Sequence, residues 1–217
     1  MNIWQIIAQH IARSTEAPFN PLEPKSIGGG CINMGVRLSD GERTFFVKLN
    51  SASLLDMFEA EAEGLRELAR PGVIRIPEVH DCGVDNGQAF IAMERLHFRP
   101  ASRKDEQLFG EQLAELHRVT QERFGWHRDN TIGLTPQHND LNSDWVDFFR
   151  KHRLGFQLEL AARNGYGDDV AELGRQLSAR LPDFFAGYTP AASLLHGDLW
   201  GGNWGAVAGQ PVMFDPA

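Results

Sequence analysis

The stretch that decides the fold is residues 194–203, which read LLHGDLWGGN. Within it, Asp198 follows a histidine and a glycine, and Asn203 stands five residues further on. An aspartate can take the proton from an attacking hydroxyl group, and an asparagine amide oxygen can bind a divalent metal ion. The spacing therefore predicts a general base and a metal ligand in one loop.

A second acidic residue follows this loop. Residues 212–216 read VMFDP, which places Asp215 at the end of an apolar strand, about a dozen residues after Asn203. The offsets of His, Asp, Leu and Asn in the loop are those of the protein-kinase catalytic loop H-R-D-L-x-x-x-N, with Gly197 in place of the arginine. Asp215 then occupies the place of a second Mg²⁺ ligand, and the order of these residues predicts phosphoryl transfer.

The residues upstream continue the pattern. Gly28, Gly29 and Gly30 form a turn in which backbone N–H groups can approach a phosphate closely. Lys48 lies in an apolar strand, and its buried ammonium group needs an anion, which the acidic helix at 58–65 can supply. Taken alone, the glycines also fit a simple tight turn and the lysine a solvated charge. In this order the set favours a nucleotide site of the protein-kinase kind.

Length, composition and charge exclude several classes of protein. A chain of 217 residues with 42% apolar residues suits one large domain or two small ones. Its net charge of −8, without a Lys/Arg run, argues against nucleic acid or an anionic membrane as a partner. Two cysteines cannot form a disulfide framework. Residues 1–14 predict an amphipathic helix, not a signal peptide, and we expect a cytoplasmic protein.

Hydrophobic periodicity divides the chain into a strand-rich first part and a helical second part. The predicted strands are residues 32–38, 44–49, 78–83 and 89–96. The predicted helices are residues 1–14, 54–69, 103–120, 144–164 and 169–181, with Ser143 as the cap of the fourth and Pro182 as the end of the fifth. Residues 124–142 are predicted to form an ordered loop. This pattern predicts an α+β fold, with an antiparallel sheet in an N-terminal lobe (1–97) and a mainly helical C-terminal lobe (98–217).

Several short motifs are shared with one known family. They are GGGCI at 28–32, FVK at 46–48, MFEAE at 57–61, NTIG at 130–133 with PQ at 136–137, WVDFF at 145–149, HGDLWGGN at 196–203 and FDPA at 214–217. On these motifs, from about residue 25 to the last residue, the chain resembles the fructosamine/ketosamine-3-kinase family. That family lies within the wider aminoglycoside-phosphotransferase-like, protein-kinase-like fold, which has two lobes.

The resemblance implies an enzyme that uses ATP and Mg²⁺ to phosphorylate the third hydroxyl group of a ketosamine, which is a sugar joined through carbon to an amine. The amine belongs to a small molecule or a protein, and the 3-phosphate makes the adduct unstable, so that deglycation follows. The implied site residues are Gly28, Gly29, Gly30 and Lys48 for phosphates, Glu61 as partner of Lys48, Met93, Glu94 and Leu96 in an adenine-binding hinge, Asp198 as base, Asn203 and Asp215 for Mg²⁺, and Trp200 for the sugar.

Two other functions stay open. A kinase for another small hydroxylated amine, such as an aminoglycoside or choline, would need the same phosphate and metal residues, although the loop near Asn130 argues against it. A catalytically impaired nucleotide-binding fragment is the second, because members of the family continue for several helices after FDPA. We therefore expect an incomplete C-terminal lobe that is less stable than in an extended chain. We also expect two copies to pair through Cys31 or through an exposed face of that lobe.

Overall fold

The structure is a computed structural model that describes residues 2–28 and 32–217. Gly29, Gly30 and Cys31 fall outside the described residues. The phosphate contacts predicted for those two glycines and the pairing predicted through Cys31 therefore lie outside them as well. Within the described part of the chain, no helix has both the length and the apolar character that crossing a bilayer requires.

Strands and helices share the described residues in an α+β arrangement. The strands are β1 (Lys25–Ile27), β2 (Met34–Ser39), β3 (Thr44–Ser51), β4 (Val79–Asp85), β5 (Gln88–Glu94), β6 (Thr120–Gln121), β7 (Asn130–Ile132), β8 (Thr135–Gln137), β9 (Ala192–Ser193), β10 (Trp204–Val207) and β11 (Gln210–Met213). The helices are α1 (Ile3–Ser14), α2 (Leu55–Ala69), α3 (Arg103–Leu116), α4 (Trp145–Phe149), α5 (Phe156–Arg163) and α6 (Asp168–Phe184), with a 3₁₀ turn at Ala52–Leu54 and a π-helical segment at Arg150–Gly155.

An antiparallel sheet with the strand order β1-β2-β3-β5-β4 forms the centre of the N-terminal part. A tight turn joins β4 to β5, and its residues Asn86 and Gly87 both have positive φ, as a type I′ hairpin turn requires. The predicted extension of the last strand to Leu96 is wrong. β5 ends at Glu94, which already lies opposite Phe45 near the start of β3.

Each face of this sheet is covered by one helix, because successive side chains of a strand point to opposite faces. On one face, Ile7 of α1 is buried in a cluster with Phe90 of β5. On the other face, Phe58 of α2 is buried in a cluster with Ile91, the next residue of the same strand. The alternation of apolar residues therefore fixes which helix each strand residue meets.

The chain forms two compact units. The first comprises Met1–His117 with Leu195–Ala217, and the second comprises Arg118–Leu194. The first unit thus contains the large sheet, α1 to α3 and the hairpin of β10 and β11. The second contains the helices from α4 to α6 and the short strands from β6 to β9. The predicted lobe boundary near residue 97 falls inside the first unit, and the division into lobes stays a prediction.

The single helix predicted over residues 144–164 is wrong in two respects. α4 and α5 are separated by the π-helical segment, whose last residue is Gly155. A Cβ atom on Gly155 would approach the carbonyl oxygen of Arg150 to 2.7 Å, so the wider turn favours glycine there. The N-cap is Asp144 and not Ser143, because Oδ1 of Asp144 accepts the N–H of Asp147 at 2.7 Å.

Pro182 lies inside α6 and does not end it, contrary to the prediction. A proline inside a helix leaves the carbonyl group four residues earlier without its usual donor. Here that carbonyl belongs to Ser178, and it accepts a hydrogen bond from Nε of Arg150 at 3.2 Å. The side chain of Arg150 therefore replaces the missing backbone donor, and α6 continues to Phe184.

Short strands replace parts of two other predicted elements. The region 124–142, predicted to be a loop, contains the hairpin of β7 and β8, whose turn includes Gly133 at a φ of +62°. The helix predicted to reach residue 120 ends at Leu116, because Thr120 pairs with Ser193 in a separate two-stranded sheet. Strands of two or three residues carry too few side chains to show a period.

Candidate active site

Lys48 lies at the centre of an ion-pair cluster in the first unit. Along β3 it shares with Phe46 the face that α2 covers. Its Nζ atom donates to Oε1 of Glu61, in the middle of α2, at 2.6 Å, and it also contacts Oδ1 of Asp215. The exposed side-chain fractions are 11% for Lys48, 8% for Glu61 and 53% for Asp215. The fold therefore joins three of the predicted site residues.

The charges of this cluster do not balance, because one ammonium group faces two carboxylates. Burial lowers the pKa of Lys48, but the charges of Glu61 and Asp215 outweigh it, and the net direction is upward. Burial raises the pKa of Glu61, and Asp215 adds to that rise, while Lys48 opposes it. Lys48 is thus held in its charged form, and a cation near Asp215 would relieve the excess of negative charge.

The loop at 196–203 is held in shape by its own polar groups. Nδ2 of Asn203 donates to the carbonyl oxygen of Asp198 at 2.8 Å, to Oδ2 of the same residue at 3.2 Å and to the carbonyl oxygen of Asp215 at 3.3 Å. The buried ring of His196 donates from Nε2 to the carbonyl oxygen of Phe214 at 3.0 Å and accepts the N–H of Asp198 at 3.4 Å. Burial lowers the pKa of His196, which favours the neutral ring that these two bonds require.

Glycine at position 197 has a steric reason. Its φ is +87°, and a Cβ atom there would collide with the carbonyl oxygen of Ala217. Ala217 is held close to the loop because its N–H donates to the carbonyl oxygen of His196 at 3.1 Å. An arginine, as in the protein-kinase loop, would meet the same obstacle. The 196–203 loop and the segment that carries Asp215 therefore pack backbone against backbone.

Asp215 itself has a φ of +62°, a left-handed conformation that is unfavourable for a residue with a side chain. The neighbouring backbone holds it there, because the N–H of Phe214 donates to the carbonyl oxygen of Asn203 at 3.0 Å and Nδ2 of Asn203 donates to the carbonyl oxygen of Asp215. In this conformation the Asp215 carboxylate contacts Lys48.

The donor groups of this region fit Mg²⁺, which prefers oxygen ligands. Nδ2 of Asn203 is directed at two carbonyl oxygens, so its Oδ1 points the other way and accepts no hydrogen bond among the described residues. The same amide thus contacts the carboxylate of Asp198 and the backbone of Asp215. Among the described residues, no group of three or more His, Cys, Asp or Glu side chains could hold a metal ion. A metal at this site would therefore also need oxygen ligands from the substrate.

The residues of the predicted adenine hinge lie at and beyond the end of β5. The side chain of Met93 is buried in the cluster under α2, and that of Glu94 contacts Arg75. Leu96 lies two residues beyond the strand and is half-buried. Since Met93 and Glu94 use their side chains within the protein, any contact of these two residues with adenine falls to their backbone.

Two further predicted site residues have open surroundings. The side chain of Trp200 is exposed at 63%, and its indole ring lies so close to Gly202 that a Cβ there would collide with it. The carbonyl oxygen of Trp200 accepts the N–H of Asn203 at 3.0 Å, which ties the tryptophan to the loop. Gly28 has open space where a Cβ would be.

Three residues that the sequence analysis left without a role take part in this region. His196 supports the loop through its two hydrogen bonds, and its position in the 196–203 motif could have indicated this role from the sequence. Asn50 donates from Nδ2 to the carbonyl oxygen of Ile32 at 3.0 Å and to Oδ1 of Asn33 at 2.8 Å. Arg75 contacts Glu94, and no local sequence pattern announces that contact.

Comparison with known proteins gives the same answer at the level of family and fold. A family model described as fructosamine kinase matches residues 3–217. A probable ketoamine kinase of Synechocystis is 44% identical over 99% of this chain and 72% of its own length. A chloroplastic protein-ribulosamine 3-kinase of rice is 42% identical over 88% of this chain and 57% of its own length.

Two solved structures extend the comparison. One from Haemophilus somnus, named as a fructosamine-3-kinase, superposes with a TM-score of 0.90 at 28% identity and covers 99% of this chain and 72% of that one. An aminoglycoside phosphotransferase, in a ternary complex with ADP and hygromycin B, superposes with a TM-score of 0.63 at 16% identity, over 96% of this chain and 70% of that one. The second shows the fold alone.

The chain is thus an α+β kinase of the protein-kinase-like class. It belongs to the fructosamine kinase family, whose model matches nearly every residue. The fold class, the family and the kinase class predicted from the motifs are confirmed.

Proposed function

We propose that this protein transfers a phosphoryl group from ATP to the 3-hydroxyl group of ketosamines, the fructosamine and ribulosamine adducts of amines, and so starts deglycation. The observation that carries the proposal is the joining of Lys48, Glu61 and Asp215 with the loop of Asp198 and Asn203 in one unit. The names of the relatives, which specify ketoamines and the 3-position, support the substrate class.

Each residue of the site has a defined part in this reaction. Lys48, held charged and oriented by Glu61, binds phosphate oxygens of ATP. Asp198 accepts the proton of the sugar hydroxyl as its oxygen attacks the γ-phosphorus, and the bond from that phosphorus to the leaving ADP oxygen breaks. Asn203 and Asp215 would hold Mg²⁺, which supplies positive charge that stabilises the transferred phosphoryl group. Trp200 offers its exposed indole to the sugar.

A phosphotransfer assay with a panel of acceptors tests the proposal. The protein is incubated with ATP and Mg²⁺ and a ribulose-amine, a fructose-amine, an aminoglycoside or choline, and ADP release and the ³¹P spectrum of the product are followed. We expect turnover with the two ketosamines, phosphate on the third hydroxyl and no turnover in Asp198→Asn. Turnover confined to the aminoglycoside or to choline would replace the substrate class, and ATP binding without turnover on any acceptor would favour the impaired nucleotide-binding alternative.

We propose that substrates include both small and protein-bound ketosamines, that the enzyme works in the cytoplasm, and that two copies associate through the outer face of α6 or through Cys31. Exposed Leu173 and Phe184 on α6 support the first mode of association. Sedimentation of the protein, of Leu173→Glu and of Cys31→Ser under oxidising and reducing conditions would separate the two modes.

A further inference from the structure

Arg75 lies in the segment between α2 and β4, outside any strand, yet its backbone meets the end of β11. Its carbonyl oxygen accepts the N–H of Met213 at 3.1 Å, and it forms a parallel β-bridge with Val212. Met213 and Val212 are fully buried. The strand that leads to Asp215, two residues further on, is therefore anchored to Arg75 through the backbone.

The side chain of Arg75 extends to a second part of the site. Its Nη2 atom pairs with Oε1 of Glu94, the last residue of β5. Glu94 is also tied to Glu78, because its N–H donates to the carbonyl oxygen of Glu78 at 2.7 Å and its Oε2 accepts the N–H of Glu78 at 3.4 Å. The end of β5 is thus linked both to Glu78, the residue before β4, and to Arg75.

One residue therefore joins the predicted adenine hinge to the segment that carries a predicted metal ligand. We propose that Arg75 is a positioning residue that keeps the end of β5 and the Asp215 segment at a fixed spacing, so that the two ends of one ATP molecule are bound together. The inference rests on the proposed ATP site. A ligand that spans both parts gains affinity from this spacing because the site is already ordered when it arrives.

The ion pair between Arg75 and Glu94 contributes too little to stability for that to be its main role. The side chains of Arg75 and Glu94 are exposed at 33% and 31%, and ion pairs with such access to water contribute little to the stability of the fold. The backbone link to Met213 does not depend on the guanidinium group, so the fold keeps it when the side chain changes. What a side-chain variant removes is the link to Glu94.

The experiment compares ligands that touch both parts of the site with ligands that touch only one. Binding of ATP, adenosine and magnesium tripolyphosphate is measured by calorimetry for the unaltered protein and for Arg75→Met, with KM and kcat for ATP. Arg175→Met is the matched control, since Arg175 pairs with Glu172 at 2.6 Å on the surface of α6. Melting temperatures are recorded for every variant.

We expect Arg75→Met to raise KM and Kd for ATP by about 2- to 30-fold, the range for residues that carry coupling between sites. Binding of adenosine and of tripolyphosphate should change by less than a factor of about two, kcat should be retained, and the charge-exchanged protein with both Arg75→Glu and Glu94→Arg should recover ATP affinity. Arg175→Met should match the unaltered protein.

Equal losses for ATP and for its two fragments would overturn the inference, because they would indicate direct contacts instead of spacing. A fall in melting temperature and kcat without a selective rise in KM would also overturn it, as a purely structural effect. If the unaltered protein binds no ATP, both the proposed function and the role proposed for Arg75 are wrong. If the unaltered protein and Arg75→Met bind ATP equally well, the role proposed for Arg75 is wrong and the proposed function still stands.

Discussion

Two polar networks, one in each compact unit, are built from similar side chains but differ in how far their hydrogen bonds are completed. In the second unit, Asn139 is 3% exposed at the base of the β7–β8 hairpin. Its Nδ2 donates to the carbonyl oxygen of Arg128 at 3.1 Å and to Oδ1 of Asn130 at 2.9 Å, and its Oδ1 accepts from Nη2 of Arg153 at 2.6 Å. Its N–H donates to Asp129 at 2.9 Å. Every polar atom of this side chain is used.

The network around Lys48 is open by comparison, in the sense that some of its charges and hydrogen-bond acceptors are not matched by other groups of the protein. Its carboxylates outnumber its ammonium group, Asp215 is half-exposed in a left-handed conformation, and Oδ1 of Asn203 accepts no hydrogen bond among the described residues. A closed network stabilises one structure, whereas an open one has donors and acceptors left for a ligand. From this difference we expect the Asn139 network to stabilise the fold and the Lys48 network to bind a ligand.

The largest effect is expected at Asp198, within the open network. Asp198→Asn keeps the size of the side chain but cannot accept the hydroxyl proton, so phosphotransfer should fall by about 10²–10⁴-fold. ATP binding should remain, since the substituted group is not among the phosphate-binding residues. Steady-state kinetics and calorimetry measure the two quantities, and a comparable fall in both would contradict a base at this position.

The next effect is expected for nucleotide affinity at Asp215. Asp215→Asn removes one negative charge from the predicted metal site, and charge-assisted contacts contribute about 1.5–3 kcal/mol, which corresponds to a loss of about 10- to 100-fold in affinity for ATP with Mg²⁺. Calorimetry on Asp215→Asn and Asp198→Asn side by side measures it. Equal affinity of these two variants for ATP with Mg²⁺ would contradict the assignment of Asp215 as a metal ligand and Asp198 as a base.

A smaller effect, on stability and not on chemistry, is expected in the closed network. Asn139→Ala removes the acceptor of Nη2 of Arg153 and one of the two donors to Oδ1 of Asn130, which should lower the free energy of unfolding by about 1–3 kcal/mol. For a chain of this size each kcal/mol lowers the melting temperature by about 2–4 °C.

Calorimetric melting of Asn139→Ala, with turnover per folded molecule, checks that expectation. Gln176→Ala is the control, because Gln176 makes its hydrogen bond to Glu172 on the exposed surface of α6. An unchanged melting temperature with reduced turnover would show that the Asn139 network takes part in catalysis.

The smallest effect concerns the pH dependence of stability in the second unit. Burial lowers the pKa of His152, the charges of Lys151 and Arg153 lower it further, and Asp140 opposes them. Because the folded pKa lies below the ordinary value of 6.5, the unfolded chain binds the proton more readily. The contribution of neutral His152 is therefore complete above pH 6.5 and is lost as the pH falls below it.

We expect His152→Gln to reduce the fall in melting temperature between pH 7.5 and pH 5.5, because glutamine stays neutral throughout. His97→Gln, at an exposed position, is the matched control and should keep the original slope. Melting curves across this range measure both, and identical slopes in the two variants would refute the assignment to His152.

Much of the site could be predicted from the sequence because its residues lie in short local motifs. The spacing of Asp198 and Asn203 is set within one loop, and the alternation along β3 determines which face Lys48 occupies. Hydrophobic periodicity also indicated most of the long helices and strands, and it failed where strands are only two or three residues long, as in β6 and β7.

The sequence by itself determined the order of the residues predicted to bind phosphate, act as base and hold metal, and it determined the family, since both depend on residue type and spacing. Only the tertiary structure decided three contacts. Arg150 supplies the hydrogen bond that Pro182 cannot donate, and the carbonyl oxygen of Ala217 leaves room only for glycine at position 197. Arg75 contacts Glu94 through its side chain and Met213 through its backbone. These contacts join residues about twenty to more than a hundred positions apart. Local propensity and periodicity extend over only a few turns, so such pairs form only when the packed elements bring them together.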